Sequence, residues 1–149
     1  MIQQFIKDKN GLGMFIYYFL LMAVTLMFIF LCFNYFMLID EKSMVDLIAD
    51  EAVTAAAREL YTIAYEEITT QGTITDRPEY RAAIKTEVEN YFSNYNKNAT
   101  VTLITISNGY LTIEGYVTNN NYKSPDYIDP SETPVELKFK SFAVIRNVY

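Results

Sequence analysis

Charged residues are missing from one long stretch near the start of the chain. The 30 residues between Lys9 and Asp40 carry no charge, and those from 14 to 39 are almost all apolar. Spanning the roughly 30 Å hydrocarbon core of a bilayer takes about 20 apolar residues. A cleaved secretory signal would be shorter and would be followed by small residues. The pattern therefore predicts a transmembrane helix over residues 14–39, which we call the apolar segment.

The charges on either side of the apolar segment predict its orientation. Lys7, Lys9 and the α-amino group precede it, whereas the residues after Lys9 include ten Lys and Arg against seventeen Asp and Glu. The flank of a membrane span that carries more Lys and Arg usually stays in the cytoplasm. Residues 1–13 are therefore predicted to be a cytoplasmic N-terminus or a leader. The remainder is predicted to lie outside the cell membrane, which the chain crosses once.

Glycine and proline, which interrupt helices, are absent from residues 14–71. The transmembrane helix is therefore predicted to continue outward over residues 40–70. Apolar residues recur there at spacings of three and four, as on one face of an amphipathic helix. They are Val45, Ile48, Ala52, Ala56, Leu60 and Ile63. A break at Ser43, with Asp46 placed as in a capping box, is the alternative.

Several positions on this long helix are candidates for helix packing. The short side chains of Ala49, Ala52 and Ala56 let another backbone approach closely. They contact either the sheet of the same chain or another subunit, and both interpretations stay open. Within the apolar segment, the Asn34 amide could hydrogen-bond to a neighbouring helix or meet water near the outer interface.

Residues 71–149 are predicted to form a small α+β domain. Asp76 and Glu79 are spaced as in a capping box at the start of a second helix, which is predicted to end near Asn96. The apolar stripe of that helix is predicted to comprise Tyr80, Ile84, Val88, Tyr91 and Tyr95.

Three strands are predicted after the second helix, over residues 100–107, 110–118 and 135–148. Asn108-Gly109 separates the first two and is typical of a type I′ hairpin turn, which needs positive φ at both positions. From Phe142 onward, apolar residues stand at both odd and even positions of the strand, which predicts a bulge or burial on both faces. The predicted fold class is α+β, with a long N-terminal helix, a second helix and a three-stranded antiparallel sheet. The inward strand residues are predicted to be Leu111, Ile113, Val117, Val135, Leu137 and Phe139.

Composition narrows the chemistry that the chain could perform. The 149 residues include no His, no Trp and one Cys. A Ser-His-Asp triad, a Cys-His dyad, a metal site with His and an intrachain disulfide are therefore excluded. The net charge is −6 and the Lys and Arg residues are scattered, so no basic patch for nucleic acid is present. We predict no catalytic site, no cofactor and no small-molecule substrate.

One acidic stretch supplies weak candidates for a metal site. Asp126, Asp129 and Glu132 carry the hard oxygen ligands that calcium takes. Their spacing differs from the calcium loop of an EF-hand, and no glycine provides its sharp turn. A solvated loop over residues 119–134 is the favoured interpretation.

The order of these parts resembles that of a known superfamily. Lys9-Asn10-Gly11-Leu12-Gly13 leads directly into the apolar segment, and the stretch Met44 to Tyr61 reads MVDLIADEAVTAAARELY. Both are similar to type IV pilins and pseudopilins, in particular to TadE-like minor subunits of tight-adherence pili. The resemblance implies a pilin-like fold and a structural role in an envelope-spanning pilus or secretion apparatus. Its partners would be other pilin-like subunits and the assembly machinery. It also implies cleavage after Gly11 or Gly13 by a prepilin peptidase.

The chain departs from the pilin pattern at one position. Pilins usually carry Glu five residues after the cleavage point, where this chain has Ile16 or Tyr18. Because that Glu helps to align neighbouring subunits, its absence favours a minor or unprocessed subunit. The alternative from another functional class is a bitopic, membrane-anchored module whose outer domain recognises a peptide, a glycan or a divalent ion.

Overall fold

The computed structural model describes residues 9–123 and 134–145 of the chain. It divides into two compact units, Met1–Asp40 and Glu41–Tyr149. We call the second unit the head. It includes residues 41–70 as well as 71–149, because the outer part of the long helix contributes buried residues to its core.

Three helices and one sheet make up the described residues. The helices are α1, Lys9–Ile63; α2, Tyr65–Gln71; and α3, Pro78–Asn94. The strands are β1, Ala99–Ser107; β2, Tyr110–Lys123; and β3, Pro134–Val144. They form one antiparallel sheet in the order β1-β2-β3. The predicted α+β class, with a long N-terminal helix and a three-stranded antiparallel sheet, is confirmed.

Helix α1 runs through Ser43, so the alternative of a break at that residue is wrong. Lys42 and Asp46, four residues apart, form an ion pair across this part of the helix instead. The helix that was predicted to reach residue 70 is interrupted once, at Ala64. Backbone hydrogen bonds continue on both sides of Ala64, because its N–H donates to Leu60 and its carbonyl accepts from Ile68, each at 2.9 Å.

The hairpin between β1 and β2 forms where Asn108-Gly109 predicts it. The φ angles of Asn108 and Gly109 are 53° and 78°, as a type I′ turn requires. A register shift lies between Val101 and Leu103 in β1. Strand β2 is longer than predicted, because residues 119–123 continue it and Asn119 pairs with Val135.

The core of the head lies between one face of the sheet and the helices. Phe92 of α3 stacks on Phe139 of β3 with ring centroids 5.0 Å apart, and the hydroxyl of Ser141 donates a hydrogen bond to Asp50 of α1. Both helices therefore contact the same face of β3. The fully buried large side chains are Val45, Ile48, Val53, Leu60, Ile84, Val88, Phe92, Leu111, Ile113 and Val117.

Helix α3 differs from the sequence prediction at its start and along its stripe. Arg77 is the N-cap residue and makes no side-chain capping bond, so the predicted capping box at Asp76 is wrong. The Asp76 carboxylate instead accepts two hydrogen bonds from Arg81, at 2.7 and 2.6 Å. Phe92 is the fourth buried residue of the stripe, while Tyr91 is half-buried and Tyr95 exposed. The spacing of four that begins at Tyr80 continues to Phe92, which turns the two tyrosines to one side.

Two predicted apolar positions are exposed. Ile63 at the end of α1 is 46% exposed, and Phe142 in β3 is 71% exposed. Phe142 pairs with Thr112 and the ladder continues without irregularity to Val144. The predicted bulge or two-sided burial from Phe142 onward is therefore wrong within the described part of β3, because its side chains keep alternating between the two faces.

Gly115 in β2 allows a close approach that no larger residue would fit. A Cβ added there would lie 2.6 Å from the carbonyl oxygen of Thr100 and 2.7 Å from the ring of Phe139. Since the nearer atom belongs to the backbone, the contact cannot be relieved by turning a side chain.

We expect Gly115→Ala to destabilise the head by about 1–3 kcal/mol, the usual cost of overpacking a closed core. The measurement is thermal unfolding of the full-length chain in detergent, with Thr112→Ala on the same strand as the control. Thr112 lies on the opposite face, so its replacement should change the free energy of unfolding by less than about 0.5 kcal/mol. Equal effects of the two variants would contradict the assignment of Gly115.

Candidate functional site

The residues of the apolar segment form an exposed apolar surface on α1. Most of the large apolar side chains from Met14 to Ile39 are exposed, with exposed fractions between 44% and 67%. The Thr25 hydroxyl donates a hydrogen bond to the Leu21 carbonyl within the same helix at 2.8 Å. Among the described residues, one helix is long and apolar enough to cross a membrane. None of the residues in its most apolar stretch is buried.

The sequence-predicted residues of the N-terminal unit all lie on α1. Gly11 and Gly13 fall near its start, and a Cβ added at Gly13 would meet nothing within 4 Å. Packing within the chain therefore gives no reason for a glycine at position 13. Asn34 is half-buried on the same helix.

The three alanines predicted for helix packing are buried in the head. Ala49, Ala52 and Ala56 are each at most 1% exposed. Their side chains pack inside their own unit, which leaves no free surface at these positions for another subunit. The exposed residues of this half of α1 lie on the other side of the helix.

A shallow groove of about 410 Å³ lies along that exposed side. Its two ends differ in charge, since Asp50 and Glu51 are at one end and Arg58 is at the other. Thr54 and Ala55 lie between them, and Tyr91 of α3 completes the lining. The short side chains in the middle leave the space between the charged ends open.

Two tyrosines of α3 orient the carboxylate of Glu51. The hydroxyls of Tyr91 and Tyr95 donate hydrogen bonds to Glu51 Oε2, at 3.2 and 3.3 Å. The two rings lie 5.8 Å apart. The neighbouring hydroxyl of Tyr95, followed by burial and by the Glu51 carboxylate, raises the pKa of Tyr91 to about 12. Tyr91 therefore stays neutral and able to donate at physiological pH.

A larger cleft of about 770 Å³ is lined by residues of α1 and of all three strands. Charged side chains of both signs line it, and two pairs of them are already joined, Lys42 with Asp46 and Lys140 with Glu114. Such internal pairing lowers the charge that the cleft can offer to a ligand. The cleft is lined by Lys42, Asp46, Thr102, Glu114, Gly115, Tyr116, Glu136, Lys138, Phe139 and Lys140.

Glu67 is a buried acid that fastens the linker between α2 and α3. It accepts hydrogen bonds from the N–H of Thr75 at 2.8 Å and from the hydroxyl of Tyr80 at 2.9 Å, and Arg77 lies 3.3 Å away. Hydrogen bonds from Thr75, together with those from Tyr80 and the charge of Arg77, hold the pKa of Glu67 below its usual value against the effect of burial. The same contact raises the pKa of Tyr80.

The lowered pKa of Glu67 predicts how the stability of the head changes at acidic pH. A carboxyl group whose pKa is lower in the folded state stabilises the fold above its unfolded pKa, near 4.5, and that contribution is lost as the pH falls through the folded value. We expect the melting temperature of the head to fall as the pH drops below about 4.5, and to fall less in Glu67→Gln. The control is Glu66→Gln, whose side chain is exposed. An identical acid dependence in both variants would contradict the role of Glu67.

The structure assembles no metal site from the residues that it describes. No group of three or more His, Cys, Asp and Glu side chains there could hold an ion. The calcium candidates Asp126, Asp129 and Glu132 lie outside the described residues, so their prediction stays as it was made.

Sequence reasoning did not single out the groove or the buried acid. Glu51 and Glu67 each follow another acid in the sequence, and adjacent residues of a helix do not face each other. Their roles depend on α3, which lies 13 to 44 residues further along the chain. The one signal in the sequence is that Tyr80, Ile84 and Val88 follow one another in steps of four, a series that Phe92 continues.

Comparisons of the chain with protein-family models, with curated proteins and with solved structures find no match in any of the three. Function is therefore inferred from the residues and their arrangement.

Proposed function

We propose that the protein is a single-pass membrane subunit of an envelope-spanning pilus or secretion apparatus, and that it acts structurally, by association of its long helix with other helices. One observation carries this proposal. The apolar surface of residues 14–39 and the helix that is buried in the head belong to one helix, α1, of 55 residues. Catalysis has no part in this role.

The physical basis is the way such a helix can be covered. In a bilayer, lipid surrounds the apolar segment, whose backbone hydrogen bonds are satisfied within the helix. In a filament or bundle, the apolar segments of several copies cover one another instead. The resemblance of the first 65 residues to TadE-like minor pilins supports this role, and the N-terminus would be cytoplasmic with the head outside the membrane.

Purification of the native protein from membranes tests the proposal. We expect it to be recovered together with other short, single-span subunits or with an assembly ATPase and its membrane platform. The intact mass of the recovered chain shows whether residues through Gly11 or Gly13 have been removed. Recovery of a membrane monomer without such partners would contradict the proposal.

The large cleft of the head favours the alternative, a membrane-anchored module that binds an external ligand. Glu136 and Lys138 line the cleft and take part in no ion pair among the described residues. Titration of the full-length chain with cell-wall glycans, peptides and calcium tests it. We would then expect a ligand to raise the melting temperature of the head, with Lys138→Ala weakening the effect.

A further inference from the structure

The exposed side of α1 in the head carries charges of both signs that have no ion-pair partner in the described part of the chain. Asp50 and Glu51 lie at one end of the groove and Arg58 at the other. The ion pairs that the described residues form involve other side chains. The groove therefore presents an acidic end and a basic end to its surroundings.

The two ends are too far apart to neutralise each other. Arg58 follows Glu51 by seven residues and Asp50 by eight. At 1.5 Å per residue these intervals correspond to about 10–12 Å between backbone positions along the helix axis, whereas residues that form ion pairs on one helix are three or four positions apart. Among the described residues, no cation of this head pairs with the acidic end.

The acidic end is prepared to receive a cation. Glu51 is held by the hydroxyls of Tyr91 and Tyr95, and Asp50 is held by the hydroxyl of Ser141. A carboxylate has about four acceptor positions, so both acids keep acceptors after these bonds are made. Thr54, in the middle of the groove, turns its hydroxyl to the carbonyl of Asp50 at 2.8 Å and does not project toward a partner.

We infer that the acidic end of this groove binds Arg58 of a second copy of this chain, which lies parallel to the first and is displaced by seven to eight residues along the helix. The inference rests on the proposed function, since it names the contact by which neighbouring copies align. The planar guanidinium offers five donors, which suits an end of the groove that two carboxylates line. Each copy then gives its Arg58 to one neighbour and its acids to another.

The displacement follows from the order of charges on the helix. Two parallel copies without displacement would place acid against acid and Arg against Arg, and like charges repel. A displacement of seven to eight residues brings opposite charges together. In such a head-to-tail pair, one copy keeps its Arg58 free and the other keeps its acids free. Further copies can therefore add at both ends, which gives an open assembly and not a closed pair. An antiparallel pair would also match opposite charges, but copies drawn from one membrane into a filament point the same way, and there their apolar segments cover one another at a displacement of about 10–12 Å.

Charge reversal in the full-length chain tests the contact. In detergent, where helices are free to slide, we expect Arg58→Glu to weaken self-association roughly tenfold, because it removes one attraction and adds a repulsion. The matched control is Lys85→Glu, an exposed cation of α3 that changes the charge by the same amount; it should change association less than twofold. Arg58→Gln should fall between these two. Equal association of all four chains would overturn the inference.

Cysteine pairs test the displacement itself. In a Cys32→Ser background, a chain with Ala55→Cys is mixed with one that carries Thr62→Cys, and a short bis-maleimide is added. Ala55 is half-buried in the groove and Thr62 is exposed, and the two positions, seven residues apart, lie on the same side of α1. Displaced parallel copies should give the mixed 55–62 product. A dominant 55–55 product would indicate an undisplaced or antiparallel pair and would overturn the inference.

The outcomes separate this inference from the proposed function. If the unmodified chain is recovered without partner subunits and does not associate with itself, the proposed function fails and this contact fails with it. If it is recovered with other subunits but does not associate with itself, only this contact is overturned. If it associates but Arg58→Glu associates equally well, only the contact is overturned. Thermal unfolding of each variant shows that its head is folded, and Arg58→Gln serves as the test should Arg58→Glu unfold.

Discussion

Replacement of Phe92 by alanine should destabilise the head by about 3–5 kcal/mol, the range measured when large aromatic side chains are removed from closed cores. Phe92 is fully buried at the end of α3 and stacks on Phe139 of β3 with an angle of 26° between the rings. The variant therefore loses the contact that joins α3 to the far edge of the sheet. Because small domains are stable by about 5–15 kcal/mol, this loss would remove a large share of the total.

Thermal or denaturant unfolding of the full-length chain in detergent measures this effect. The matched control is Tyr95→Ala, three residues later on α3, where the side chain is 41% exposed. That variant loses a hydrogen bond to Glu51 and little packing, so about 1 kcal/mol or less is expected. A larger loss of stability in Tyr95→Ala than in Phe92→Ala would contradict the assignment of Phe92 to the core.

The contrast between Phe92 and its neighbours shows what a hydrophobic pattern can predict. The series Tyr80, Ile84, Val88 fixes three buried positions, and both a step of three and a step of four are compatible with a helix. The step of three leads to Tyr91 and the step of four to Phe92. Tyrosine and phenylalanine are both apolar enough for either place, so the choice depends on Phe139, which lies more than 40 residues away.

Other features could be read from local sequence because their causes are local. The absence of glycine and proline over residues 14–71 predicts a long helix, and α1 follows that prediction as far as Ile63. Asn108-Gly109 supplies two residues that tolerate positive φ, and the hairpin forms there. Backbone preferences of this kind need no information about distant parts of the chain.

Local sequence patterns did not predict the side-chain partners of Asp76 and Glu67. Asp76 has the residue type and spacing of a helix cap, yet its carboxylate binds Arg81 because a bidentate bond to a guanidinium is stronger than a capping bond. Glu67 belongs to a helix face that would be solvated in isolation. It is buried because Gly72, with φ at 71°, turns the chain back so that Thr75 and Tyr80 reach it. The groove likewise exists only because α3 places Tyr91 beside α1.

Three arginines placed in the apolar segment should prevent stable insertion in the membrane. Val24→Arg, Phe28→Arg and Leu31→Arg lie on one helix face, and the native side chains are 59%, 66% and 49% exposed. Each Arg near the centre of a span costs about 2.5–3.5 kcal/mol of insertion free energy, so the three together cost on the order of 7–10 kcal/mol. We expect the variant to be extracted by alkaline carbonate, whereas the unmodified chain should stay with the membrane.

The matched control carries Met44→Arg, Leu47→Arg and Ile63→Arg on the same helix. The native side chains at these positions are 44%, 60% and 46% exposed, so the two triple variants replace comparably exposed apolar residues, and only their place along α1 differs. The control should remain resistant to carbonate because its arginines lie outside the proposed span. Retention of both variants in the membrane would contradict a span over residues 14–39. Release of both would mean that exposure on α1, and not depth in a bilayer, decides whether the chain stays with the membrane.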